Sequence, residues 1–252
     1  MKINRNDIEG LSRREREKLM RKKEMLAAAR QIFAQKGYGE TTLEDVAELA
    51  EFGKGTLYNY FPNKEALFSS VLEEVMSGFK AIVDEVLARD LGFEEKFRKM
   101  IEESLRYAFS NPEGIMLMSR ESQHLRDNNP LMQIKLQLVG RLADSIAAEQ
   151  LKNKGMLQVE AEQLALILMN MIMGQFINRL HLHVFKGVQG AESASEGWFC
   201  SPITPDIIQS LTNPANLEED VEKATELVFS LYFFGITGAS QTGRKLYHDK
   251  LT

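Results

Sequence analysis

Apolar residues recur along this chain three and four positions apart, with no run of alternating β-branched residues. Met25, Ala29, Ile32 and Phe33 make one face of a first helix, and Leu43, Val46, Ala47 and Ala50 one face of a second. Start signals sit between the periods. Ser12 with Glu15 and Thr41 with Glu44 have capping-box spacing, and Asn63 caps a helix after Pro62. Asn111-Pro112, Asn129-Pro130 and Thr204-Pro205 each place a capping side chain before a proline, and Asn216 with Glu219 makes another start. The pattern predicts helices over 12–36, 43–50, 54–60, 64–89, 93–110, 112–126, 130–152, 159–185 and 217–236, the first ended by Gly37. The fold class expected is all-α, with about nine helices. A long loop at 186–215 carries Trp198, Phe199, Cys200 and a short helical segment at 205–211.

The two shortest helices are adjacent. Residues 43–50 and 54–60, joined by a tight turn, have the layout of a helix-turn-helix DNA reader. Lys54, Thr56, Tyr58, Asn59 and Tyr60 supply phosphate- and base-contacting chemistry on the second helix. Gly55 allows close backbone approach, while Leu57 and Phe61 pack inward. Lys64 opens the next helix as a phosphate ligand. Thr41 and Thr42 sit at the positive end of the 43–50 helix, where they serve as caps, as phosphate ligands, or as both. Arg13, Arg14, Arg16, Lys18, Arg21, Lys22 and Lys23 crowd the start of the first helix, interleaved with Glu15, Glu17 and Glu24. They read either as a solvated, ion-paired face or as a basic arm on DNA, with Arg14 and Lys22 the chosen contacts.

Charge agrees with that division. Residues 1–64 hold 13 Lys+Arg against 10 Asp+Glu, whereas the rest hold 18 against 26. A mildly basic head on an acidic body directs the head, and not the body, at nucleic acid. A single cysteine, Cys200, excludes an internal disulfide framework and suits a reducing cytoplasm. The chain shows no secretory leader, and its most apolar run, 164–173, contains Asn170 and is too short to span a bilayer. No nucleophile–base set, phosphate loop or cofactor motif marks an enzyme. His181 and His183 diverge by about 200° on a helix and cannot share one ion, so no metal site is expected.

The segment Lys54-Gly55-Thr56-Leu57-Tyr58-Asn59-Tyr60-Phe61-Pro62-Asn63-Lys64-Glu65-Ala66-Leu67 resembles the signature of the TetR family of transcriptional regulators. The stretches 28–38 and 41–47 continue the likeness, which covers about residues 20–70. Two positions depart from the family pattern: Glu51 stands where the turn usually has Gly, and Gly53 where the recognition helix usually has a Ser or Thr cap. The resemblance implies a DNA-binding domain over 12–66 and an effector-binding and dimerisation domain over 67–252. It also implies a homodimeric regulator, most often a repressor, on a pseudo-palindromic operator, released when a small effector moves the fourth helix.

Within the body, Leu164, Leu168, Met171 and Gln175 form one stripe, and Val221, Ala224, Val228 and Leu231 form another at seam spacing. Each reads as intramolecular core, as a second buried face, or as part of both; the resemblance implies pairing with a second subunit. Phe97, Met100, Leu105, Phe109, Met116, Met173 and Phe176 with Trp198 read either as ordinary core or as walls of an apolar effector cavity, and Arg120 and His124 as its polar candidates. The effector expected is apolar or amphipathic. A regulator controlled by a protein partner through the 186–215 loop, or by a redox or metal signal, is the alternative.

Overall fold

The computed structural model describes residues 10–120, 130–188, 208–209 and 211–237. Those residues form helices α1 Arg13–Glu40, α2 Leu43–Leu49, α3 Lys54–Tyr60, α4 Lys64–Ala88, α5 Phe93–Ser110, α6 Pro112–Arg120, α7 Pro130–Lys152, α8 Ala161–Val188 and α9 Pro214–Thr237, with no strand among them. The all-α expectation holds, and α3, α5 and α7 have the predicted bounds. The end of the predicted 112–126 helix, Asn129, and Thr204-Pro205 lie outside the described residues.

Several helix ends differ from expectation, each for a local reason. α1 starts on the Ser12–Glu15 capping box, and it bends at Gly37 (φ 77°, ψ 169°) before continuing to Glu40. That backbone region is open essentially to glycine alone. The second capping box is Thr42 with Asp45, one residue later than the predicted Thr41–Glu44 pair. Thr41 instead turns inward, 1% exposed, and its hydroxyl donates to the Gly37 carbonyl at 2.7 Å. α9 begins three residues before the predicted Leu217, because Asn213 accepts from the Ala215 amide at 3.0 Å and Pro214 takes the first helical position.

Two apolar cores share two helices. The head core joins Met25, Phe33, Val46, Leu57, Leu67 and Phe68 from α1–α4. Phe33 meets Phe68 edge-on at 5.0 Å, as does Tyr38; such pairs add about 0.5–1.5 kcal/mol beyond burial. The body core joins α4–α9 around Phe97, Ile101, Leu105, Ile146, Leu168, Phe176 and Val228. α4 runs through both: Leu67, Phe68, Val71 and Leu72 belong to the head, and Val75, Met76, Phe79, Val83 and Val86 to the body. α6 does the same over one turn, with Leu117 in the head core and Ile115 and Met116 in the body core. At this seam Arg30 of α1 pairs with Glu74 of α4 at 3.5 Å, both largely buried. Gly114 of α6 fits there because a Cβ would stand 2.6 Å from Val75 Cγ2. Tyr107 donates to the Val75 carbonyl at 3.2 Å, and burial with the nearby Glu74 carboxylate pushes its phenol up to about 12.

The outward stripes of α8 and α9 are not the ones read from spacing. Leu164, Leu168, Val221, Ala224 and Val228 are buried in the chain's own core. The hydroxyl of Tyr232, also buried, donates to the Leu164 carbonyl at 2.9 Å and fastens α9 to α8. Met171 and Gln175 are half-buried, and Leu231 alone of the predicted set is well exposed, at 61%. The large apolar side chains left outside are Leu166 and Ile167 on α8 and Leu227, Leu231 and Phe234 on α9.

Candidate nucleic-acid interface and body cavity

The turn before α3 is a Schellman motif. The Phe52 amide bonds the Ala47 carbonyl at 2.9 Å and the Glu51 amide bonds the Glu48 carbonyl at 3.1 Å. The geometry requires a left-handed residue between them, and Glu51 takes it with φ 56°. A non-glycine residue there costs roughly 1–2 kcal/mol. Gly53 caps α3 through its carbonyl, which accepts from the Thr56 and Leu57 amides at 2.8 and 3.2 Å, with no side-chain bond. α3 is then held by Leu57 and Phe61, 0% and 2% exposed.

Burying those two side chains fixes what α3 presents. Lys54, Gly55, Tyr58 and Asn59 are exposed, while Thr56, Tyr60 and Lys64 are half-buried. Nothing stands within 4 Å of where a Gly55 Cβ would be, so the backbone there is open to an approaching surface. The cations carry internal partners. Lys54 pairs with Glu44 of α2 and lies 5.9 Å over the Tyr58 ring. The pairing raises the Lys54 pKa and lowers that of Glu44. Lys36 bonds Asp45 at 2.7 Å, and that contact, with the Thr42 amide and hydroxyl, pulls the Asp45 carboxyl down to about 2. Lys64 donates to the Gly39 carbonyl at 2.9 Å and sits 4.8 Å over Tyr38.

The remaining predicted DNA contacts divide. Thr42 is exposed but engaged in its capping box. Thr41 is corrected: a side chain buried against Gly37 offers its hydroxyl to no phosphate. Lys22 is exposed, 5.9 Å over the Phe61 ring, next to α3. Arg14 is exposed on the first turns of α1, where Arg13 pairs with Glu17 at 2.8 Å. Sequence reading missed the acidic partners Glu44 and Asp45. Their place in the first turn of α2, beside the positive helix end, is the signal that marks them.

The body contains a small apolar cavity of about 60 Å³ between α4, α5, α6, α7 and α8. Met100 and Met173 are in its lining, together with Met76, Phe79, Met118 and Ile172, and Ser104 adds a hydroxyl. Phe97, Leu105, Phe109, Met116 and Phe176 are not among its lining residues; each is at most 2% exposed in the body core. They pack within the body core. The side chain of Arg120, with His124, Trp198, Cys200 and the side chains of His181 and His183, lies outside the described residues. Among the described residues, no helix is long and apolar enough to cross a membrane.

The description "Bacterial regulatory proteins, tetR family" matches residues 25–71, which span α2, α3 and the adjoining parts of α1 and α4. The uncharacterized HTH-type transcriptional regulator YhgD of Bacillus subtilis is 41% identical over 81 residues, covering 32% of this chain and 42% of that protein. The HTH-type transcriptional repressor NicS of Pseudomonas putida is 29% identical over 133 residues, 51% of this chain and 62% of the repressor. This chain therefore spans less than two thirds of either relative. At the level of fold, the fatty acid degradation regulator FadR of Bacillus halodurans superposes with a TM-score of 0.59 at 16% identity, covering 83% of this chain and 94% of FadR. The matched segment at 25–71, relatives that are transcriptional regulators and a shared all-helical architecture make this chain similar, through its head, to the tetR family of bacterial regulatory proteins.

Proposed function

We propose that the protein is a cytoplasmic, homodimeric repressor that reads a pseudo-palindromic operator and releases it when an apolar or amphipathic effector binds the body. The observation that carries this reading is the outward face of α3, where Lys54, Gly55, Tyr58 and Asn59 stand exposed on a helix clamped by Leu57 and Phe61. Tyr58 and Asn59 contact bases or backbone, and Lys54 exchanges Glu44 for a phosphate, a nearly even trade between exposed ion pairs. Residues 12–66 then act as the reader and 67–252 as the effector-binding and dimerisation part.

Leu166, Ile167, Leu227, Leu231 and Phe234 supply the second subunit's contact. Pairing them across a two-fold axis sets two α3 helices about 34–36 Å apart, one turn of DNA. The cavity supports the effector, because Met76 and Phe79 of α4 form part of its wall. A ligand that favours one tilt of α4 shifts the reader by its differential affinity alone.

The test is an anisotropy titration of the full chain on DNA from its own upstream region, at two salt concentrations. Tight, salt-sensitive binding is expected, and the Lys54→Ala, Tyr58→Ala double variant should lose it by roughly tenfold or more with a shallower salt slope. Equal binding by the variant would remove α3 from the interface.

A further inference from the structure

α8 carries one cation inward. Arg179 is 7% exposed, and its Nε donates to Asp220 Oδ2 of α9 at 2.9 Å. The guanidinium carbon lies 4.4 Å over the Phe109 ring. An arginine brings five N–H donors and no acceptor, and Asp220 satisfies one of them. Nη1 and Nη2 are buried and have no hydrogen-bond partner among the described residues. A buried guanidinium in this condition is under-compensated. Burial pulls its pKa down against the pull of Asp220, and Asp220 itself is about one-third exposed and shares its charge with water.

The free edge has a definite shape. With Nε taken, the two Nη groups offer parallel donors to two coplanar oxygens, which is the geometry of a carboxylate. A cation is repelled there. A dianionic phosphate would bring two negative charges to a pocket that already holds Asp220.

We propose that Arg179 anchors the carboxylate of an amphipathic monocarboxylate. This rests on the effector-binding role proposed for the body, and it names the chemistry of the ligand.

The experiment is calorimetric titration and thermal shift of the full chain with three probes of one length: octanoate, 1-octanol and octylamine. Octanoate should bind and raise the Tm, with 1-octanol weaker by about ten- to a hundredfold and octylamine weaker still. Arg179→Lys keeps the charge and stem but loses the planar fork, and Arg179→Gln loses the charge. In both, octanoate should fall to the level of 1-octanol while 1-octanol is unchanged. Circular dichroism checks that the variants fold; if neither does, the wild-type comparison of octanoate with 1-octanol decides. No octanoate binding, equal binding of octanoate and 1-octanol, or full octanoate affinity in Arg179→Lys overturns the proposal. Release of DNA by a non-carboxylate would overturn it too, yet leave the effector role standing. Arg179-dependent octanoate binding that leaves DNA affinity unchanged would keep the carboxylate site and remove the effector role.

Discussion

The head and the body treat their cations in opposite ways. In the head, Lys36, Lys54 and Lys64 are near the surface and each has an internal partner in Asp45, Glu44 or the Gly39 carbonyl. In the body, Arg179 is buried, and neither of its Nη groups has a hydrogen-bond partner among the described residues. An exposed pair is cheap to exchange, since water screens both its loss and its gain. A buried donor cannot exchange with solvent and waits for a partner of matching shape. The head is therefore suited to reversible contact with a polyanion, and the body to discrimination among small molecules.

The largest expected effect tests whether the two regions are separate. Phe97→Ala empties a fully buried body site and should destabilise the protein by about 3–5 kcal/mol. Because α4 and α6 belong to both cores, urea unfolding followed by circular dichroism should show one shifted transition; two resolved transitions would make head and body independent. Next is Leu231→Glu, at a position 61% exposed in the protomer. It should leave the fold intact and weaken self-association by about 3 kcal/mol, roughly a hundredfold, seen as a monomer by sedimentation velocity.

Smaller effects sharpen the head. Glu51→Gly relieves the left-handed strain at φ 56° and should raise stability by about 1 kcal/mol, or a few degrees in Tm, by calorimetry. An unchanged or lower Tm would show that the strain is compensated elsewhere. The smallest concerns pH. The Asp45 carboxyl lies below its ordinary value, at about 2, so its contribution is present above the unfolded value near 4. It is lost as pH falls from about 4 to about 2. Thermal melts in that window should fall less steeply with acid in Asp45→Asn than in the parent.

Legibility in the sequence followed the range of the forces. α3 was readable to its end residues because a tight turn, a Phe-Pro stop and two apolar anchors all act within a dozen positions. Glu51 stood out only against the family pattern, and the structure gives it φ 56°. Thr41 and Thr42 were not separable, since both have an acid three residues on; the bend at Gly37 decides, by drawing the Thr41 hydroxyl inward. The outward stripes of α8 and α9 were misassigned because both helices are apolar on more than one face. Periodicity gives the faces and not their neighbours, and Leu164 and Val228 went to the core by tertiary contact. Arg179 was legible in principle, two turns after Ile172, but only to a reader who already knew that Ile172 faces inward.

α4 is one unbroken helix of 25 residues, and so about 37 Å long. It is a lever whose middle, at Met76 and Phe79, forms cavity wall and whose first residues adjoin the reading head. A tilt of about 5° about its far end would carry Lys64, and α3 with it, by roughly 3 Å, close to the spacing of one base pair. The gain comes from length alone, so in the proposed mechanism a cavity as small as this one is large enough to set the register of a much larger partner.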